Sequence, residues 1–353
     1  MSFRIGYTQL TIKDETRWNN LLFVSRNASY RASMSYEYSK KYIGRETKTF
    51  IFHKNGEDIA GAHYSLKSSI AGIVKTADIL SSVVFKNEPE EDVLSFILDH
   101  FINWAKDKNA SFMRFNPWIP SIIKGQKANY FEIFDKTIKK HEFSPITKGR
   151  NTYWLDLTQS EDQLLNNMRR KTRYDIRKGI KSKLRIQLID KPDDQITEQF
   201  WRLYNQLGKK KDFTKLSGKK FKHEVHTLLE TGFASVFVAI FNDEIVNISM
   251  ASKKGIASYM YGAINPNFKM LEDCPAPGYL AQWEMIKTMK KLGLQIYDLG
   301  FCPGPIPDQN HPAYNIWRFK YGFGGIHVQF MPTYGKVLNP ITGRLFQLWK
   351  YRK

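Results

Sequence analysis

Residues 48–66, KTFIFHKNGEDIAGAHYSL, and residues 235–252, SVFVAIFNDEIVNISMAS, decide the fold. Each consists of two runs rich in β-branched and aromatic residues around a polar break. The break is Lys54-Asn55-Gly56-Glu57 in the first and Asn242-Asp243 in the second. Asn, Asp and Gly tolerate the left-handed backbone of a tight hairpin turn, so both stretches read as β-hairpins. Ile59 and Ile245 hold matching places, 186 residues apart. The likeness continues outward. Each hairpin is followed by an alternating segment (74–85; 257–263) and then by an apolar-faced helix (91–107; 279–292). Each helix leads into a buried-type strand, Phe112-Met113-Arg114-Phe115 or Gln295-Ile296-Tyr297-Asp298. Phe115 and Leu299 lie 184 apart, so the spacing drifts by only two residues. A duplicated α/β unit is expected, each copy a mainly antiparallel mixed sheet with a crossover helix. Chance is the competing account, since α/β chains often repeat this order.

The 353 residues suit two domains, and 42% apolar with 14% aromatic residues is enough for packed cores. No apolar run approaches the ~18 residues of a spanning helix. The start, Met1-Ser2-Phe3-Arg4-Ile5-Gly6-Tyr7, has no apolar core of a secretory signal. Two cysteines, Cys274 and Cys302, make neither a disulfide framework nor a thiolate zinc site. A reduced, cytoplasmic protein is expected. The domain boundary falls near 145–152, ahead of the strand Thr152-Tyr153-Trp154-Leu155-Asp156-Leu157. Ser160 then opens an amphipathic helix with Leu164, Leu165 and Met168 on one face and a basic run on the other. A further helix covers about 194–210, with Ile196, Phe200, Leu203 and Leu207 in register.

The net charge is +20, and its location is informative. Residues 169–185, RRKTRYDIRKGIKSKLR, hold nine bases and one acid. Residues 209–222, KKKDFTKLSGKKFK, hold seven bases and one acid. Two readings stand: a solvated helix face, or contact with a polyanion.

Several chemistries are excluded. No phosphate-binding G-x-x-x-x-G-K-[ST] or G-x-G-x-x-G loop is present, nor a G-x-S-x-G nucleophile elbow. His223 and His226 stand three apart without the flanking glutamate of a helical zinc site, so no metal is expected. Asp298, in Tyr297-Asp298-Leu299-Gly300, is read as a tie for loop backbone rather than a catalytic acid. The strongest local pattern is Trp317-Arg318-Phe319-Lys320-Tyr321-Gly322-Phe323-Gly324-Gly325. Aromatic flanks would hold Lys320 out of bulk water, where its ammonium binds a phosphate or stabilises an oxyanion. A solvated lysine beside core aromatics is the plainer alternative.

These residues resemble the FemABX family of Fem-type peptidoglycan aminoacyltransferases. Met168 to Lys178, MRRKTRYDIRK, is similar to the family's basic helix, and Tyr259-Met260-Tyr261-Gly262-Ala263 to its second-domain strand. Tyr297-Asp298-Leu299-Gly300 followed by Phe319-Lys320-Tyr321-Gly322-Phe323-Gly324-Gly325 resembles its closing signature. Ser33-Met34-Ser35-Tyr36-Glu37-Tyr38-Ser39-Lys40 resembles an N-terminal motif.

The resemblance implies two tandem GNAT-like domains: 1–150, with 329–353 returning to it, and 151–328. Only about 25 residues separate the helix ending near 211 from the strand at 235, too few for the coiled-coil arm of longer members. The implied activity is transfer of an amino acid from aminoacyl-tRNA to the stem-peptide amine of a peptidoglycan precursor, UDP-linked or lipid-linked, in cell-wall biosynthesis. Lys320 and Phe319 match catalytic positions, with no cofactor. Lys40, Tyr36 and Tyr261 match acceptor-binding positions, and Lys210 or Lys211 stands where the family has an arginine, a point charge in place of a bidentate phosphate donor. Arg169, Arg170, Lys171, Arg173, Arg177 and Lys178 would meet tRNA phosphates. Where some members carry Asp in Arg-x-Asp-Pro, this chain has Arg114-Phe115-Asn116-Pro117, and a carboxylate role is not carried over.

Two other classes compete. An acyl-CoA-dependent N-acyltransferase of the same fold would need a Q/R-x-x-G-x-G/A loop, and none opens either crossover helix. A non-enzymatic RNA-binding protein would use the basic stretches alone. The terminal Leu345-Phe346-Gln347-Leu348-Trp349-Lys350-Tyr351-Arg352-Lys353 reads as a helix docked on the first domain or as a contact with the inner face of an anionic membrane.

Overall fold

The computed structural model describes residues 5–25, 27–40, 44–69, 72–211 and 217–351. The chain divides into two compact units, Met1–Arg150 with Val328–Lys353, and Asn151–His327.

The first unit runs β1 (Ile5–Leu10), α1 (Glu15–Val24), α2 (Met34–Ser39), β2 (Arg45–Lys54), β3 (Glu57–Ser69), β4 (Val74–Leu80), β5 (Val83–Phe85), α3 (Glu91–Asp107), β6 (Phe112–Asn116), β7 (Pro120–Ile123), β8 (Gln126–Lys127), α4 (Phe131–Lys140) and β9 (Ser144–Pro145). The second runs β10 (Asn151–Asp156), α5 (Glu161–Asn167), α6 (Arg170–Lys181), β11 (Arg185–Ile189), α7 (Asp194–Lys211), α8 (Gly218–Glu230), β12 (Ala234–Phe241), β13 (Glu244–Ser252), β14 (Ala257–Ile264), α9 (Pro277–Lys291), β15 (Ile296–Asp298) and α10 (Tyr314–Tyr321). The chain closes with β16 (Ile326–Phe330), β17 (Tyr334–Val337) and α11 (Thr342–Tyr351). Val328, Gln329 and Phe330 of β16 pair with β7, and β17 lies between β6 and β9.

The sheet of the first unit has the order β1-β2-β3-β4-β6-β17-β9, with β5 also on β3. That of the second has the order β11-β12-β13-β14-β15-β10. β4 and β6 run parallel, joined across α3, and β14 and β15 run parallel, joined across α9. The two hairpins match in detail. Asn55 and Gly56 have φ of 56° and 83°, Asn242 and Asp243 of 48° and 62°, the left-handed pair that lets a two-residue turn follow strand twist. Each hairpin carries a bulge three residues before its turn, at Phe52/His53 and at Ala239/Ile240. The crossover helices bury equivalent stripes: Val93, Leu94, Ile97, Leu98 and Phe101 on α3, Leu280, Trp283, Ile286 and Met289 on α9. Each such side chain contributes roughly 2 kcal/mol by leaving water, so packing holds these helices in place.

One expectation needs correction. The single helix read after Ser160 is two helices. Met168 is extended, with ψ of 153°, and the Arg169 amide donates to Gly322 O at 2.9 Å instead of continuing the helix. The Arg173 guanidinium closes the break by donating to the carbonyls of Asn166 (2.9 Å) and Met168 (2.5 Å). Among the described residues no helix is long and apolar enough to cross a membrane.

Candidate active site

The second unit gathers its polar chemistry where β14 and β15 part. Their parallel pairing covers only Ala257↔Tyr297 and Ser258↔Asp298. β14 then continues to Ile264 on the arm of β13 alone, while the other strand turns away at Leu299-Gly300. Helix α10 delivers Lys320 to this fork. Trp317 anchors the helix, its Nε1 donating to Pro305 O at 2.8 Å and its ring stacked on Tyr321 at 5.0 Å. Gly324 turns the chain away at φ of 76°, and a Cβ there would lie 2.1 Å from Asn167 O. The glycine thus lets the loop press against the end of α5.

Lys320 does not point to open solvent; it is 7% exposed. Its Nζ donates to Phe301 O at 2.8 Å and lies 5.4 Å from the Tyr259 ring centroid. Gly300, at φ of 75°, makes room: a Cβ there would stand 3.2 Å from Lys320 Nζ and 2.7 Å from Tyr259 O. Burial pushes the Lys320 pKa down to about 8, opposed by Cys302 and Asp298. The ammonium therefore persists at neutral pH but is close to losing its proton. Burial in turn pushes the Cys302 thiol up, to about 11. Asp298 is buried and accepts from Gly300 N at 2.7 Å and from the Thr152 hydroxyl. It ties the loop while placing a carboxyl near Lys320, and its own pKa is raised by burial. Phe319 packs on the core against Tyr279 (5.1 Å) and Phe323 (5.2 Å).

The other expected residues are distributed as follows. Tyr261 donates to Glu224 of α8 at 2.8 Å and packs with Tyr204 and Phe221, at 5.5 and 5.3 Å. In the first unit, Lys40 lies 5.0 Å from the Tyr36 ring and forms an ion pair with Glu37. Glu37 is 1% exposed, and its Oε2 has no hydrogen-bond partner among the described residues. Burial raises its pKa, and Lys40 opposes the rise. Lys40 is thus held beside a buried carboxylate of its own helix turn. Asn116 donates to Thr333 Oγ1 at 3.0 Å and accepts from Trp118 N at 2.9 Å, the duties of a loop clamp. Arg169, Arg170, Lys171, Arg177 and Lys178 are exposed on the second unit. Lys171 pairs with Asp175 at 2.7 Å, and Arg169 lies 5.4 Å from the Tyr321 ring. Arg173 is half-buried, and its Nη1 donates to the carbonyls named above. The Lys210 and Lys211 side chains lie outside the described residues. Sequence reasoning overlooked Glu37, Glu224 and the aromatic face of Tyr259. The i, i+3 spacing of Glu37 and Lys40 was the one available signal.

Comparison with solved structures bears on the fold. The structure described as FemX superposes with a TM-score of 0.81 at 17% identity, covering 97% of this chain and 99% of that one. The fold is that of FemX, two GNAT-like domains in tandem. A tandem GNAT protein from the clavulanic acid biosynthesis pathway aligns with a TM-score of 0.57 at 9% identity over 96% and 99% of the two chains. The C-terminal domain of a putative lysylphosphatidylglycerol synthetase from Agrobacterium fabrum aligns at 0.53, with 13% identity over 94% and 93%. The family model for an acetyltransferase (GNAT) domain matches residues 166–308. No curated protein matches the chain by sequence. The GNAT match supports an acyltransferase. The matched segment holds the fork and Asp298 but stops before Lys320.

Proposed function

We propose that the protein is an aminoacyltransferase that moves an amino acid from aminoacyl-tRNA to the stem-peptide amine of a peptidoglycan precursor. The observation that carries this reading is the buried Lys320 ammonium, held on Phe301 O at 2.8 Å where two parallel strands part. An aminoacyl ester is already activated, so no covalent enzyme intermediate is needed. The acceptor amine attacks the ester carbonyl and forms the C–N bond. The C–O bond to the ribose then breaks, and the ribose oxygen leaves with the proton lost by the amine. Negative charge collects on the former carbonyl oxygen, and a fixed ammonium there lowers the barrier by about 3 kcal/mol, the value of one oxyanion donor. Phe319 would shape the wall beside it. Lys40 and Tyr36, together with Tyr261 and the Lys210–Lys211 pair, are proposed acceptor contacts. Arg169, Arg170, Lys171, Arg177 and Lys178 are proposed to meet tRNA phosphates.

The competing acyl-CoA reading is favoured by the GNAT match. The helix starts oppose it. α9 has Pro277, without an N–H, in its first turn, which removes one donor from that end. α3 opens with Glu90, Glu91 and Asp92. Acids at a helix N-terminus repel a pyrophosphate. The test is incubation with mixed aminoacyl-tRNAs and peptidoglycan precursors, read by mass. A precursor heavier by one aminoacyl residue is expected. No mass gain, together with turnover of acetyl-CoA, would replace this reading by the CoA one.

A further inference from the structure

Helix α11 is apolar on two sides. One side docks it: Phe346 is buried against Phe112, with ring centroids 5.4 Å apart, and a Cβ on Gly343 would lie 2.3 Å from Ser111 O. Thr342 Oγ1 donates to Ser111 Oγ at 2.9 Å, and Asn339 Oδ1 accepts from the Ile341 and Thr342 amides. The other side carries Ile341, Leu345 and Leu348, which are 71%, 60% and 59% exposed. Their spacing of four and then three residues puts all three on one narrow stripe. A helix held this firmly by one face does not need aliphatics on the opposite one.

The segment that carries the stripe is basic. Residues 338–353 contain Arg344, Lys350, Arg352 and Lys353 and no acidic residue. Arg344 and Lys350 are exposed. Exposed aliphatics on a basic segment, with Arg344 beside Leu348, match the boundary of an anionic bilayer, where side chains enter the acyl region and cations meet headgroups. A second copy of the same surface would instead set like charges against each other. We infer that α11 is a docking face for an anionic lipid surface, entered by Ile341, Leu345 and Leu348 and steered by Arg344, which adjoins the stripe on the helix. This goes beyond the transferase reading and does not depend on it.

The test is flotation of the full chain with phosphatidylcholine vesicles, with and without phosphatidylglycerol. The chain is expected to float with the anionic vesicles and stay behind with the neutral ones. Leu345→Ser with Leu348→Ser is expected to weaken the partition at least about tenfold. Arg344→Gln is expected to weaken it and to flatten its salt dependence. Both leucines are exposed, so the double variant should keep its circular dichroism and melting temperature, and its transfer to a soluble acceptor. Equal flotation of wild type and leucine variant overturns the inference. So does a wild-type dimer in vesicle-free buffer that the leucine variant converts to monomer. Neither result touches the transferase assay, so the two readings fail separately.

Discussion

Lys320 combines a stability cost with a proposed role, and the two can be separated. Its pKa falls from 10.5 in the unfolded chain to about 8 in the fold. Below pH 8 the folded state must hold a buried ammonium, which costs on the order of 3 kcal/mol. Between pH 8 and 10.5 the unfolded chain binds more protons, so stability from this group rises with pH. Lys320→Met should therefore abolish transfer while raising the melting temperature at pH 7, as thermal unfolding beside the transfer assay would reveal. In wild type, transfer should decline above pH 8 as the ammonium is lost. A variant that is inactive and also less stable would recast Lys320 as a structural residue. Lys40 behaves oppositely. Lys40→Met strands the buried Glu37 carboxylate, a change expected to cost about 3 kcal/mol. Because the folded pKa of Glu37 is raised, the loss should shrink as pH falls and Glu37 takes up a proton. Adding Glu37→Gln should recover most of the stability, and acceptor KM in that double variant isolates any phosphate contact by Lys40.

At the level of elements, the strand fork depends on a residue with no side chain. Gly300→Ala would place a Cβ 2.7 Å from Tyr259 O at a left-handed φ of 75°, and 3.2 Å from Lys320 Nζ. Stability should fall by about 1–3 kcal/mol, and kcat should fall further than that loss explains, because Lys320 is displaced. Retained kcat at full occupancy of the folded state would dissociate the fork from the chemistry. The hairpins, crossover helices and aromatic anchors of this unit were legible because each is a local pattern: Asn242-Asp243 at a turn, a 3.6-residue stripe on α9, Trp317 before Gly322. The break between α5 and α6 was not. It depends on Gly322 O accepting from Arg169 N, a contact across more than 150 residues that periodicity cannot register. The Glu224 partner of Tyr261 was hidden in the same way, on a helix 37 residues upstream.

For the whole molecule, the sequence displays charge but not what each charge is doing. Two stretches carry 16 bases against two acids. The structure divides them into exposed cations (Arg170, Arg177, Lys178), cations with carboxylate partners (Lys171 with Asp175, Lys222 with Glu198) and Arg173, committed to carbonyls. A formal count treats all of these alike, and only the first kind releases counterions in full when a polyanion binds. Arg170→Gln with Arg177→Gln and Lys178→Gln should therefore lower the slope of log K against log salt for tRNA by about 2 to 3, at 0.7–0.9 per phosphate contact, and leave thermal unfolding within about 0.5 kcal/mol. Arg173→Gln should do the reverse. It loses its hydrogen bonds to the end of α5, costing about 1–3 kcal/mol of stability, with little change in slope. Filter binding across a salt series, alongside thermal melts, measures both. If Arg173→Gln flattened the slope as much as the triple variant, its guanidinium would belong to the tRNA surface after all. If the triple variant kept the wild-type slope, the polyanion would have to bind elsewhere on the molecule.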